Sequence, residues 1–247
     1  MDDLIQATEA AVRRNIPDLA HKVLSPEYSY HSLPLCIIDA VFSIGVRYTN
    51  VKKVVEAWCV AHRPSWQKYG VEGMQRKTVS DLINETEGFH GLTAAAKFFG
   101  GNKQRTSTRN GILKADAVVL FAKAVRRAGV EDFADIRRSD MMDAAREAVA
   151  SVPGHRSGIS FDYLMMLAGD ESYVKADRMI CGFVAEAAGV ATVTAEEART
   201  AVVGACKALL AEYPNLTPRR LDHVIWNHQR KRKQSALSRR PACIQAE

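Results

Sequence analysis

The chain has 247 residues, and its balance of 47% apolar and 25% charged residues is that of an ordinary soluble globular protein, enough for one large domain or two small ones. Its net charge of +6 and pI near 9.1 favour an anionic partner. That charge is unevenly spread: Arg230, Lys231, Arg232, Lys233, Arg239 and Arg240 all fall near the C-terminus, and the rest is close to neutral. The tail therefore reads equally as a solvated, disordered end or as a nucleic-acid contact. Cys36, Cys59, Cys181, Cys206 and Cys243 are far apart in sequence, which excludes a Cys-x-x-Cys zinc site and a clustered iron–sulfur loop. The start, Met-Asp-Asp-Leu-Ile-Gln, is acidic and lacks the apolar core of a secretory signal, and no apolar run is long enough for a membrane span. The expectation is a cytoplasmic protein with reduced thiols.

In chain order, Leu35, Ile38, Val41 and Phe42, then Val51, Val54, Val55 and Trp58, recur at helical spacing, so Leu33 to Trp58 reads as two helices broken near Gly45 and Thr49-Asn50. Thr78 to Ile83 and Leu92 to Phe99 read as short helices, the second ended by Gly100-Gly101. A polar, basic loop, Asn102 to Gly111, precedes a strong helix from Leu113 to Ala128. Ser139 or Asp140 caps a helix that runs to Val149. After the Pro153-Gly154 turn comes an apolar helix, Ile159 to Leu167, closed by Gly169, and then a helix from Val174 to Ala188. Thr194-Ala195-Glu196-Glu197 is a capping box, and Thr217-Pro218 opens the last helix. No sustained period-two pattern occurs, so the class is all-α.

Three stretches then carry a family resemblance. Leu35 to Val55 is a helix–loop–helix; Gly111-Ile112-Leu113-Lys114-Ala115 opens a helix; and Val152-Pro153-Gly154-His155-Arg156-Ser157-Gly158 is followed by an apolar helix, a Gly, a short loop and Val174-Lys175-Ala176-Asp177. In this order and spacing, over roughly residues 33 to 184, the chain resembles the helix-hairpin-helix DNA glycosylases of the endonuclease III-like fold. The resemblance implies two helical subdomains with a cleft between them: residues 51–172, including a hairpin at about 140–168, and residues 1–50 with 173–230, leaving 231–247 as a basic tail. It also implies a monomer acting on double-stranded DNA. The sequence departs from the family pattern in three places. Arg156 replaces the second Gly of the usual Pro-Gly-x-Gly, Gly158 stands where bifunctional members carry a Schiff-base lysine, and the iron–sulfur cysteines of some members are absent.

The chemistry follows from these residues. Gly154 permits unusual backbone angles and removes bulk where a phosphate would approach. The N-terminus of the next helix offers free N–H groups, and Arg156 adds a charged donor. Gly154, His155, Arg156, Ser157 and Gly158 are thus the expected strand anchor, with Lys114 and the loop Lys103 to Arg109 as further phosphate contacts. By resemblance, Asp177 is the catalytic carboxylate: it stabilises a developing oxocarbenium ion and orients water. Its alternative role is a helix cap. Without the lysine, the expected reaction is monofunctional hydrolysis that leaves an abasic site; Lys175, two residues before Asp177, does not take the lysine's role by homology. Arg47 and Tyr48 are candidates to fill the gap left by a flipped nucleotide. Asp39, an acid on an otherwise apolar helix, either serves a base edge in the pocket or meets a nearby Arg. Trp226 reads as core rather than as a stacking platform, and Asp222, His223 and His228 do not have metal-ligand spacing. No metal or cofactor is expected. Two other readings remain: a non-catalytic DNA-binding module on the same fold, and a helical protein–protein adaptor.

Overall fold

The computed structural model describes residues 1–22, 24, 28–61, 76–87 and 96–238, with side chains to residue 235. The chain is all-helical. Its elements are α1 (Asp2–Asn15), a 3-10 turn at Leu19–His21, α2 (Leu33–Phe42), α3 (Tyr48–Ala61), α4 (Val79–Glu87), α5 (Lys114–Arg127) and α6 (Phe133–Ile136). They continue with α7 (Ser139–Ala150), α8 (Ile159–Leu167), α9 (Arg178–Ala188), α10 (Ala195–Leu209) and α11 (Pro218–Ser238). Among the described residues the one extended pairing is an isolated antiparallel bridge between Arg105 and Leu113. No helix there is long and apolar enough to cross a membrane.

The chain divides into two compact units, Met1–Leu24 with Glu171–Glu247, and Ser25–Asp170. The first is built from both ends of the chain, on α1, α9, α10 and α11. Val12 and Ile16 of α1 pack with Ile180, Phe183 and Val184 of α9, Val202 and Leu209 of α10, and Leu221 and Ile225 of α11. Gly204 lets α1 lie close to α10, because a Cβ there would fall 2.6 Å from Ile5 Cδ1. The Thr194–Glu197 capping box starts α10 with both reciprocal bonds formed. Thr217 Oγ1 accepts from Arg220 N and donates to Glu171, and Arg219 pairs with Glu171, so the start of α11 is strapped to the loop before α9.

The second unit centres on α2 and α8. Every residue of α2 is buried, and α8 is buried from Ser160 to Leu167, so both run through the core rather than along its surface. Trp58 stacks on Phe99 at 4.8 Å, and Phe99 meets Phe42 at 5.1 Å. Arg137 donates to the Ala168 carbonyl and caps α8, after which Gly169 turns the chain at φ +94°.

Several expectations change. The first helix, α1, carries no signal used above, because only Thr8, Ala11 and Val12 of it are buried. Residues 25–50 belong with the hairpin unit rather than with the termini, since α2 packs on α3, α5 and α8. Tyr48, Thr49 and Asn50 form the first turn of α3, so the break lies at Gly45, which takes φ +66°. Helix α7 is preceded by Arg138, with no side-chain cap, instead of being capped by Ser139 or Asp140. The helix expected from Val174 begins only at Arg178. Residues 231–238 continue α11 as helix instead of forming a disordered tail, with Arg232 paired to Glu186. Arg239, Arg240, Cys243 and most of the expected Leu92–Phe99 helix lie outside the described residues.

Candidate functional site

The hairpin connects α7 to α8 through Val152–Gly158, with Val152 buried and Pro153 exposed. Gly154 adopts φ +93° and Gly158, at the N-cap of α8, φ +74°, both in the region that disfavours side chains. The reason for Gly154 differs from the phosphate clearance expected of it. A Cβ there would lie 2.5 Å from Thr106 Cβ, so the missing side chain makes room for the basic loop. That loop is organised. Thr106 N donates to Ile112 O, Lys114 N to Gln104 O and Arg105 Nη1 to the Gly111 carbonyl. The Thr106–Gly154 approach thus brings the loop that carries exposed Lys103 and Arg109 against the turn that carries exposed Arg156 and Ser157.

Two expected strand contacts are core residues instead. His155 is fully buried, its Nδ1 2.6 Å from Ser160 Oγ and its ring edge-on to Phe121. Burial pushes it down to about 4, so it is neutral at pH 7. Lys114 is 1% exposed, and its ammonium donates to the Phe42 and Ile44 carbonyls, where α2 ends. This cation caps a helix C-terminus, a favourable end for positive charge, and does not face a phosphate. Near Gly158 sits Arg146, whose Nη1 would be 3.5 Å from a Cβ; Arg146 is paired with buried Asp162 and lies over Phe161.

Of the wedge candidates, Arg47 is exposed, whereas Tyr48 is half-buried and stacked on Tyr28 at 5.4 Å. Asp39 is fully buried, and hydroxyls reach it: Tyr30 donates at 2.6 Å and Ser43 at 2.8 Å. Burial, then the charge of Asp39, raises Tyr30, and the same two causes raise Tyr163. Asp39 therefore anchors a tyrosine cluster, Tyr30 and Tyr163 with Tyr28 and Tyr48 beside them.

Asp177 lies in the other unit. It is the N-cap of α9, and Oδ1 accepts from Met179 N at 2.7 Å and Ile180 N at 3.3 Å. In the stretch before it Val174 and Ala176 are buried at 0% and 1%, and Asp177 N donates to the Lys175 carbonyl across Ala176, a tight turn that leads into α9. Within electrostatic reach of Lys175 and Asp177 is Asp222 of α11, which the sequence reading weighed only as a metal ligand. Asp222 is 5% exposed, the Lys175 backbone N–H donates to its carboxyl, and Oδ1 has no partner among the described residues. Burial, reinforced by the charge of Asp177, raises Asp222 well above the usual carboxylate range. The signal was present in the sequence, because Asp222 falls beside Leu221, Val224 and Ile225 on the apolar stripe of α11. Trp226 is partly buried against the same core, flanked by His223 and by the Arg230 guanidinium at 4.8 Å. No group of three His, Cys, Asp or Glu suited to a metal occurs among the described residues.

A family profile matches residues 6–230, from within α1 to within α11. The chain belongs to the family described as a domain of unknown function, DUF8548. Its hairpin, Asp177 and Asp222 all fall inside the matched region. No curated protein matches the chain, and no solved structure matches it.

Proposed function

We propose that this DUF8548 protein binds duplex DNA and removes a damaged or modified base by hydrolysis, as a monofunctional DNA glycosylase. The observation that carries the reading is the placement of Asp177. A carboxylate held by two backbone N–H groups at a helix start, half-exposed and within electrostatic reach of a second, buried carboxyl, is suited to face a cation developing at the sugar. In that reaction the bond from C1′ to the base breaks with its electron pair going to the base. The water oxygen bonds to C1′, its proton passes to Asp177, and the base nitrogen takes a proton from solvent. Gly158 stands at the expected lysine position, and the neighbouring Arg146 is engaged by Asp162, which supports hydrolysis over strand cleavage. Strand binding falls to the surface formed by Arg156, Ser157, Lys103 and Arg109, with Arg47 as the candidate wedge.

Duplexes bearing a broad panel of lesions test this. Alkali-dependent strand breaks should appear with wild type and be lost in Asp177→Asn. Asparagine is as good a cap as aspartate, so the substitution removes the charge and keeps the helix start.

A second reading, a non-catalytic DNA-binding module, draws support from the same cap: the fold needs an acceptor at residue 177 whether or not chemistry occurs there. It predicts salt-sensitive duplex binding, indifferent to Asp177→Asn, with no base release from any lesion.

A further inference from the structure

We propose that the solvent-facing side of the C-terminal half of α11, centred on Arg230 and flanked by Lys231 and Lys233, is a second phosphate-contact surface for DNA, carried by the unit that holds Asp177. This rests on the DNA-binding part of the reading above, and adds to the hairpin a contact of different construction.

The helix changes character along its length. Up to Gln229 it is a core element: Leu221, Asp222, Val224, Ile225 and Gln229 are buried, and the helix packs on α9 and α10. From Arg230 onward no described residue is buried, and Lys231 to Ser235 are exposed. Residues three, four and seven apart share one side of a helix. His223, Asn227, Arg230 and Gln234 therefore lie opposite Leu221 and Ile225, with Lys231 and Lys233 flanking Arg230. The acid of α11, Asp222, is buried, so this side carries positive charge without an acid of its own helix.

The cations of α11 fall into two sets. Arg219 is bound to Glu171, Arg220 donates to the Ala20 and Lys22 carbonyls, and Arg232 makes a two-point pair with Glu186 at 2.7 and 2.8 Å. These fasten the helix to its own unit. Arg230 and Lys231 enter no ion pair among the described residues, and Lys233 lies against the Met179 sulfur at 3.1 Å. Arg230 is also held in place. Its guanidinium lies over Trp226 at 4.8 Å, His223 stacks near the same ring at 6.5 Å, and Asn227 is bonded to His223 at 2.7 Å. Its Nε has no acceptor among the described residues. A guanidinium laid on an aromatic face keeps its donor edge for an oxyanion and loses less freedom when one binds.

Two features favour a phosphate backbone over a lipid surface. An interfacial helix needs an apolar face to bury, and Leu221, Val224 and Ile225 of α11 are already used in the core. Four consecutive cations, Arg230 to Lys233, also repel one another, and so close a row of charge gains most from a polyanion whose own charges are closely set.

The test is duplex binding by the full chain, read by fluorescence anisotropy across potassium chloride concentration. Wild type is compared with the double variant Arg230→Gln, Lys231→Gln and with Arg230→Lys. The slope of log affinity against log salt should fall by roughly two in the double variant, about one per lost phosphate contact, while its melting temperature stays at the wild-type value. Arg230→Lys keeps the charge and should keep the slope. Duplex binding with an unchanged slope in the double variant overturns the surface and leaves DNA to the hairpin. A lower melting temperature with an unchanged slope overturns it too, because the cations then serve the C-terminal end of the helix. Absence of duplex binding by wild type at low salt overturns it together with the DNA reading. A reduced slope without base release from the lesion panel upholds the surface and rejects base excision. Vesicles of phosphatidylserine and phosphatidylcholine form the other arm: co-sedimentation that needs Arg230 and Lys231, with the DNA slope unchanged, assigns the face to a membrane instead.

Discussion

Gly154 carries a quantitative expectation. Replacing it with alanine imposes two costs. An L-residue at φ +93° leaves its favoured regions, worth about 1–2 kcal/mol. The new methyl would also sit 2.5 Å from Thr106 Cβ, and relieving such an overlap in a packed site costs about 1–3 kcal/mol. Gly154→Ala should therefore destabilise the hairpin unit by roughly 3 kcal/mol, or roughly 6–12 °C in melting temperature for a unit of this size. Thermal unfolding of four proteins separates the terms: wild type, Gly154→Ala, Thr106→Gly and the double variant. Thr106→Gly removes the atom in the way, so in that background Gly154→Ala should cost only the backbone term, giving a coupling of about 1–3 kcal/mol. The reasoning is refuted if Gly154→Ala costs under about 0.5 kcal/mol, or costs the same in both backgrounds.

Other residues carry shorter expectations. Lys114→Met should cost about 2–3 kcal/mol in stability, because two carbonyls at the end of α2 lose a charged donor, while the salt dependence of duplex binding stays unchanged; a shallower salt slope would return Lys114 to the DNA surface. Arg156→Ala should do the reverse, leaving unfolding within about 0.5 kcal/mol and reducing the salt slope by roughly one, as read by fluorescence anisotropy. His155 is held below its ordinary value of 6.5, at about 4, so its neutral form stabilises the fold above 6.5 and that contribution is lost as pH falls toward 4. The full loss is about 3 kcal/mol. Denaturant unfolding of His155→Gln should show a flatter acid limb than wild type, and an unchanged limb contradicts the assignment.

Apart from α1 and the short α6, the helices that cover the core announced themselves through apolar spacing, and the capping box at Thr194 and the Thr217-Pro218 start gave two boundaries through local chemistry. The site was legible only in part. Asp177 stood out because its spacing from the hairpin matched a known pattern. Its role as a cap was equally visible, since aspartate before a helix is a common start. The hairpin misled in detail. His155 and Lys114 read as DNA contacts because their types suit phosphates, but in three dimensions one packs on Phe121 and the other caps α2 from 70 residues away in sequence. No local signal reports such long-range partners. Asp39 was rightly suspected as a buried acid in need of a partner, yet Tyr30 supplied it from a segment with no periodic pattern. Asp222 could have been read as a second buried acid, because it interrupts the apolar stripe of α11, but nothing in the sequence places that stripe beside residues 175–177.

The claim that Asp177 drives hydrolytic release of a base is tested most directly on the product strand. Lesion-bearing duplexes are incubated with wild type or Asp177→Asn, and the product strand is weighed by mass spectrometry before any alkali. The account predicts an intact strand carrying an abasic sugar and free base in equal amount from wild type, and unaltered duplex from Asp177→Asn. Strand cleavage before alkali, or equal release by both proteins, would contradict it.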